Sequence, residues 1–328
     1  MTVVDILNPY AWVMTLRRVL YHKGSLPSSK VSVPVISIGN ITTGGSGKSP
    51  ITKQIAEYLR DSLGKKPAIV MRGYKRKSKG FLLVSDGRQI LANVTESGDE
   101  AQSFARELGG VMVICDENRV SGAKKSIAQG ADVILLDDGY QHMALQRDLN
   151  ILLIDKLSDQ HVIPFGKNRE DITSSSDADI IIRTDENEIA IPRKKDALIA
   201  RAKLTASHIT FLDSLKESPD NLKGKRVLAL SSIANPERFH DLISSFDADI
   251  IPYALEDHAE YNDGLIADAY KRAKNDDCDL IITTTKDIVK SREYYERAEP
   301  RCKVGVLHIS YSLTEEEVFW KRIQSVFL

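Results

Sequence analysis

The stretch Thr42-Thr43-Gly44-Gly45-Ser46-Gly47-Lys48-Ser49 restricts what this chain can become more than any other. It follows an apolar run at residues 33–38 and precedes a helix-patterned stretch from 51 to 59, so strand, glycine turn and helix succeed one another as a phosphate-binding loop requires. Glycines let successive backbone N–H groups converge on an anion, and the helix N-terminus adds its partial positive charge. Lys48 is then placed to reach the β- and γ-phosphates of a nucleotide, and Ser49 to offer a hydroxyl to Mg²⁺. Thr42 stands where the common pattern has its first glycine. The competing account is an ordinary tight turn; the strand before the loop and the helix after it favour nucleotide binding.

The second strong signal is Val133-Ile134-Leu135-Leu136-Asp137-Asp138-Gly139-Tyr140-Gln141-His142. Apolar residues running into carboxylates put the acid at a strand tip, where it can bind Mg²⁺ directly or through water as the partner of Lys48 and Ser49. His142 is either a satisfied buried histidine or part of the same edge. A strand at 67–71 runs into the cationic loop Arg72-Gly73-Tyr74-Lys75-Arg76-Lys77-Ser78-Lys79, which suits an anionic substrate at a sheet edge and is by default solvated surface. Glu96-Ser97-Gly98-Asp99-Glu100 opens a helix; from spacing alone, capping accounts for its acids. Arg119 and Arg169 fall in loops after further strands.

A formal net charge of −1 argues against a general nucleic-acid binder, which needs a basic excess. Cys115, Cys278 and Cys302 are odd in number and scattered, so neither a disulfide framework nor a cysteine zinc site is indicated, and the expected compartment is reducing cytosol. No run is long enough for a membrane span, and no signal-peptide layout opens the sequence. Residues 6–21 nevertheless form an amphipathic pattern, with Asn8 as a cap, Pro9 at the first helical position, Trp12, Leu16, Val19 and Leu20 near one face, and Arg17, Arg18 and Lys23 supplying charge. Such a helix suits either a membrane interface or an ordinary core. The remainder alternates strand and helix, which predicts an α/β fold: a P-loop kinase-like α/β/α sandwich with parallel strands and a second, smaller α/β lobe. The expected division is an N-terminal helix over 1–30, a nucleotide-binding domain over 31–178, a β-ribbon linker over 179–205 and a second lobe over 206–328.

Taken together, the motifs resemble the bacterial tetraacyldisaccharide 4′-kinases. The resemblance rests on residues 33–40 leading into Thr43-Gly44-Gly45-Ser46-Gly47-Lys48-Ser49-Pro50, on Arg72-Gly73-Tyr74, Gly98-Asp99-Glu100 and residues 137–142. It continues through Asn235-Pro236-Glu237-Arg238-Phe239, Asp257-His258 and Thr284-Thr285-Lys286-Asp287. That family's loop also lacks the first glycine. Here Ser49 replaces its usual threonine, Lys75 a common small residue, and Ser232 an expected glycine.

The resemblance implies ATP- and Mg²⁺-dependent transfer of the γ-phosphoryl group to the 4′-hydroxyl of a tetraacylated glucosamine disaccharide 1-phosphate, giving lipid IVA in lipid A biosynthesis. It implies residues 42–49 for ATP, with Ser49, Asp137, Asp138 and Glu100 for the metal. Asp99 is then the base, assisted by His258 from the second lobe, and Arg72, Arg119, Gln141, His142 and Arg169 are candidates for holding substrate. It also tilts the N-terminal helix towards membrane contact, and the expectation is a monomeric peripheral enzyme on the cytoplasmic face of the inner membrane, with no nucleic-acid partner. Three rivals stand beside it. A partitioning-type ATPase switch requires a lysine before the glycine pair, where Thr43 stands; a kinase for a soluble metabolite leaves the amphipathic start unexplained; a non-catalytic nucleotide module predicts ATP binding without turnover.

Overall fold

The computed structural model describes residues 7–44, 47–155, 161–184, 191–298 and 302–328. The chain forms two compact units, Met1–Lys203 with Ser312–Leu328, and Leu204–Tyr311.

In the first unit the strands Val35–Asn40 (β1), Pro67–Met71 (β2), Leu82–Ser85 (β3), Met112–Cys115 (β4), Val133–Asp137 (β5), Leu149–Ile154 (β6), Ile180–Arg183 (β7) and the start of Leu198–Phe211 (β8) make one sheet, in the order β8-β7-β6-β1-β5-β2-β4-β3. β1, β2, β5, β6 and β7 are buried along their whole length, which is why they read as continuous apolar runs: a parallel strand covered on both faces has no solvent side to keep polar. β3 is the exception, pairing antiparallel with β4 at the edge. The helix Lys48–Asp61 (α2) buries Ile51, Thr52, Ile55, Ala56 and Leu59, a helical stripe that packs on β1, β2 and β5. The helix Arg119–Ala128 (α5) places Ala123 in a cluster with Val35, Val70, Ile134 and Leu136, the alternate residues of the same strands, and so covers the other face. Burying each large aliphatic side chain this way contributes about 1.5–3 kcal/mol.

The short helix Val94–Ser97 (α3) and the helix Asp99–Glu107 (α4) follow β3. Asn93 and Glu96 form a reciprocal capping box at the start of α3, whereas α4 starts from Gly98, at φ 85°, without a side-chain cap. Asp99 and Glu100 therefore do not act as caps, although negative charge remains favourable in a first turn.

The N-terminal helix Pro9–His22 (α1) is capped by Asn8, which accepts from Tyr10 N at 3.1 Å and donates its amide to Ile163 O at 2.9 Å. Its Ala11, Arg18 and His22 side faces the unit: Arg18 bonds Glu170 and Asp177, its guanidinium lies 5.4 Å from the Tyr140 ring, and His22 Nε2 lies 2.9 Å from Asp177. The apolar side chains face outward, Trp12 59 %, Val13 61 % and Leu16 58 % exposed. The apolar stripe therefore does not pack into the core, and Arg18, read from the sequence as one of the helix's positive charges, is engaged by Glu170 and Asp177. No helix among the described residues is long and apolar enough to cross a membrane.

In the second unit Arg226–Ser231 (β10), Asp249–Ala254 (β11), Leu280–Thr284 (β12) and Lys303–Leu313 (β13) pair in the order β11-β10-β12-β13-β8. The helix Pro236–Ser244 (α6) packs Phe239, Leu242 and Ile243 on one face, and the helices Asp263–Asn275 (α7) and Thr285–Arg297 (α8) pack Ile266, Tyr270 and Tyr295 on the other. A two-residue strand, Lys216–Glu217 (β9), runs antiparallel to β8. The division over 179–205 is thus misplaced. β7 pairs parallel with both β6 and β8, which extends the first unit's sheet, and the helix Glu316–Gln324 (α9) rejoins that unit. The strands that pass from one unit to the other are β8 and β13.

Candidate active site

The phosphate loop closes between β1 and α2. Gly47, at φ 80°, turns the chain into α2 so that Lys48 is its first residue, and Gly44 is also in the left-handed region at φ 104°. Lys48 Nζ lies 3.0 Å from Asn40 Oδ1 and 3.2 Å from Asp138 Oδ1. Asn40 organises the loop's first half as well, donating its side-chain amide to Thr42 O at 2.9 Å and Thr42 Oγ1 at 2.7 Å. Thr43 N–H donates to Lys167 O at 2.7 Å, so Thr42 and Thr43 brace the loop against residues 167–169, and this amide is not turned towards a phosphate. Gly45 and Ser46 lie outside the described residues.

β5 lies beside β1 with Asp137 in register with Ile38, which brings the acidic tip to the loop. Asp138 adopts φ 53°, and Gly139 N–H returns to Ile38 O at 3.0 Å. The turn can close there because β1 carries glycine: a Cβ at Gly39 would stand 2.6 Å from Tyr140 Cβ. Tyr140 is buried with its hydroxyl on Ser174 O at 2.6 Å. Asp137 Oδ1 accepts from Thr52 Oγ1 at 2.8 Å, one turn into α2. Asp138 Oδ2 accepts from Arg169 Nη1 at 2.8 Å. Burial and the neighbouring Glu100 carboxylate push Asp137 well above the usual carboxylate range, against Lys48. Burial acts in the same sense on Asp138, but Lys48 and Arg169 overcome it and hold its carboxyl down to about 2. Asp137 is thus crowded by the Glu100 and Asp138 carboxylates, with Lys48 as the opposing charge.

Glu100 reaches towards the same place, with Ser49 Oγ 3.4 Å from its Oε1. Asp99, 7 % exposed, accepts from the Glu100 N–H at 2.9 Å. Arg119 is buried; burial itself lowers its guanidinium, Asp138 raises it, and neighbouring Arg72 lowers it, so both cations belong to the acidic edge. Gln141 Nε2 donates to Asn40 O at 2.7 Å. His142 has a buried Nε2 with no hydrogen-bond partner among the described residues; burial, Arg119, Arg147 and Arg17 hold it down to about 4. The structure thus brings Lys48, Ser49, Asp137, Asp138, Glu100 and Arg169 together, with Arg119 and Arg72 alongside.

His258 belongs to the second unit, in the loop after β11. It adopts φ 63°, uncommon for a non-glycine residue, and its N–H donates to Ser232 O at 3.1 Å. Ser232 is held in turn by Asp287, fully buried at the start of α8, through N–H···Oδ2 at 3.1 Å and a short hydroxyl bond to Oδ1. The hydroxyl of Ser232, where glycine was expected, is used in this bond.

Asn40 and Thr52 were not singled out by sequence as site residues, although both lie within the strand-loop-helix segment. Arg169 was assigned to substrate, and its contact is with Asp138. Among the described residues no group of three or more His, Cys, Asp or Glu side chains is arranged to hold a metal ion by itself. A cavity lined by Tyr270, Lys274, Asp277, Cys278 and Cys302 lies in the second unit and contains none of these groups.

The family model described as LpxK, tetraacyldisaccharide-1-P 4′-kinase, matches residues 5–328. A tetraacyldisaccharide 4′-kinase of Desulfotalea psychrophila is 36 % identical over 296 residues, covering 86 % of this chain and 85 % of the relative. One from Pelobacter propionicus is 36 % identical over 295 residues, covering 86 % and 80 %. Among solved structures, LpxK from Aquifex aeolicus in complex with ATP is similar, with a TM-score of 0.78, 29 % identity, and 97 % and 96 % of the two chains covered.

Proposed function

We propose that this chain, which belongs to the tetraacyldisaccharide 4′-kinase family, transfers the γ-phosphoryl group of ATP to the 4′-hydroxyl of a tetraacylated glucosamine disaccharide 1-phosphate, giving lipid IVA in lipid A biosynthesis. The observation that carries the reading is the seat of Lys48: first residue of a helix behind a glycine loop, held between Asn40 and Asp138 at the tips of adjacent parallel strands. An ammonium placed there can follow charge as it moves on to the transferring phosphoryl group, and catalysis of this transfer is mostly positioning and charge neutralisation. Residues 42–49 form the ATP loop, with Thr42 and Thr43 as its brace and the amides from Gly44 onward as its phosphate contacts.

The donor set fits Mg²⁺. The ion takes one or two carboxylates and completes its shell with water and phosphate oxygens, so no all-protein cage is needed. Ser49, Asp137, Asp138 and Glu100 would hold it, and the crowding of Asp137 by Glu100 and Asp138 is what a divalent cation relieves. When bound, Mg²⁺ neutralises charge on the β- and γ-phosphates. Asp99 accepts the proton of the attacking 4′-hydroxyl, and His258 assists it, as the resemblance implies. Arg72, Arg119, Gln141 and His142 hold substrate, while Arg169 orients Asp138 and shares its guanidinium with the transferred phosphate.

The outward apolar face of α1 supports peripheral attachment to the cytoplasmic face of the inner membrane, where the acyl chains of the substrate lie. We take the enzyme to act there as a monomer. Incubation with ATP, Mg²⁺ and the disaccharide 1-phosphate should give a product heavier by one phosphate in mass spectrometry. ATP binding without that product would leave a nucleotide-binding module and end the kinase reading.

A further inference from the structure

The outer face of α1 has an evident use; its inner face is the less expected part. Two routes lead from it to Lys48, one through polar contacts alone and one that also crosses the peptide link between Arg169 and Glu170. In one, Arg17 Nη1 donates to Gln141 O at 3.1 Å, Gln141 Nε2 donates to Asn40 O at 2.7 Å, and Asn40 Oδ1 accepts from Lys48 Nζ at 3.0 Å. In the other, Arg18 bridges the carboxylates of Glu170 and Asp177, and Arg169, next to Glu170, donates to Asp138 Oδ2 at 2.8 Å. Asp138 Oδ1 in turn lies 3.2 Å from Lys48 Nζ. The segment between is fastened to the phosphate loop by Arg169 N–H on Ile41 O at 2.6 Å and Thr43 N–H on Lys167 O at 2.7 Å.

These contacts are not loose surface pairs. The side chains of Arg18 and Glu170 are 12 % and 4 % exposed, and a guanidinium spanning two carboxylates fixes both in a way that a flexible ammonium cannot. The same guanidinium faces the ring of Tyr140, whose Cβ rests over Gly39 of β1. A helix that serves only as a membrane foot needs no such fastening on its other side.

We infer that Arg17 and Arg18 are positioning residues for phosphoryl transfer, α1 setting the seat of Lys48 and Asp138 independently of any lipid its outer face meets. The inference rests on the reading that Lys48 and Asp138 hold the nucleotide and its metal. It makes α1 part of the ATP site as well as an attachment device.

The test uses the full chain without vesicles, and ATP affinity is read without lipid, so that membrane seating does not enter that measurement. ATP affinity is measured by calorimetry, and kcat and KM with the glycolipid in detergent micelles, for Arg17→Gln, Arg17→Lys and Arg18→Lys, with Lys48→Ala as reference and unfolding midpoints in parallel. Loss of one charge-assisted contact in the chain should weaken ATP binding about 3- to 10-fold in Arg17→Gln, with Arg17→Lys recovering most of it and the midpoint nearly unmoved. Arg18→Lys should lower kcat about 10-fold or more, the scale of a small misplacement of reacting groups. Should Arg17→Gln and Arg18→Lys bind and turn over ATP like the parent while Lys48→Ala loses nucleotide, the inference falls and the site assignment stands. A lowered midpoint with unchanged affinity and kcat per folded molecule also overturns it, as the mark of a purely structural role. If Lys48→Ala binds ATP undiminished, the assignment itself falls, and the inference with it. Should Arg18→Lys not fold, Arg17→Gln decides alone.

Discussion

Asp137 and Asp287 are both buried acids beside the C-terminal ends of parallel strands, one in each unit. Asp287 accepts from the N–H and hydroxyl of Ser232 and from Thr284 Oγ1 at 2.7 Å, with Lys290 Nζ 3.7 Å away. Its charge is fully answered from within the fold. Asp137 receives one hydroxyl, from Thr52, and otherwise meets Asp138 and Glu100, with Lys48 as the opposing charge. The difference separates a carboxylate that closes a structure from one that keeps negative charge in reserve for a ligand. A buried network that is complete holds a loop; one left short is an invitation to a cation.

The strongest way to break this comparison is to remove the completed acid. Asp287→Ala should cost about 3–5 kcal/mol of unfolding free energy, since Lys290 and Ser232 lose a buried partner; a urea titration giving a loss below about 1 kcal/mol would contradict it. Lys48→Ala should do the opposite, lowering kcat by about 10²–10³-fold, the scale of one lost charge-stabilising donor, with the unfolding midpoint shifted by little. If it destabilises the fold as much as Asp287→Ala does, the two acids are not different in kind. Gly39→Ala probes what holds the reserve in place. Its methyl would meet Tyr140 at 2.6 Å, and overpacking of this sort costs about 1–3 kcal/mol, with ATP affinity falling as Asp138 moves.

The smallest effect concerns His142, a buried ring in the first unit whose Nε2 has no hydrogen-bond partner among the described residues. Burial, together with Arg119, Arg147 and Arg17, holds it down to about 4, below the value near 6.5 of an unfolded chain. The folded state therefore binds fewer protons, and the stability due to neutral His142 is intact above about pH 6.5 and lost as pH falls towards 4. Urea midpoints of His142→Gln should fall less steeply than the parent's across that window and run parallel to it above pH 7. Identical acid slopes would show that His142 is not held in its neutral form.

Several of these features could be read before any coordinates, because they are local in the chain. A strand, a glycine loop and a helix are contiguous, and so are four apolar residues followed by two acids. What could not be read depends on which distant residues meet. The spacing of Trp12 and Leu16 marks an apolar stripe on α1, yet says nothing of which side faces the protein or that Arg18 turns to Glu170 and Asp177. Arg169 and Asp138 are 31 residues apart and meet only because β5 and the 167–169 segment both border the phosphate loop. From spacing, Asp99 and Glu100 read as caps; the capping box is instead Asn93 and Glu96 on α3, and α4 starts from Gly98 with no side-chain cap. The unit boundary was misjudged because a strand following a polar segment looks the same whether it adds to the sheet behind it or starts another.

The second unit begins and ends on neighbouring strands. Thr205 Oγ1 and Ser310 Oγ, 3.0 Å apart, sit almost at its two termini, and Arg201 N and Thr314 Oγ1, also 3.0 Å apart, stand opposite in the first unit. A segment whose ends meet like this has the form of an insertion: excising residues between them and sealing the gap with a short turn would leave each piece with its strand partners. The nucleotide-binding unit would then be a scaffold holding an inserted module that carries His258, and it could be expressed alone to ask what it retains.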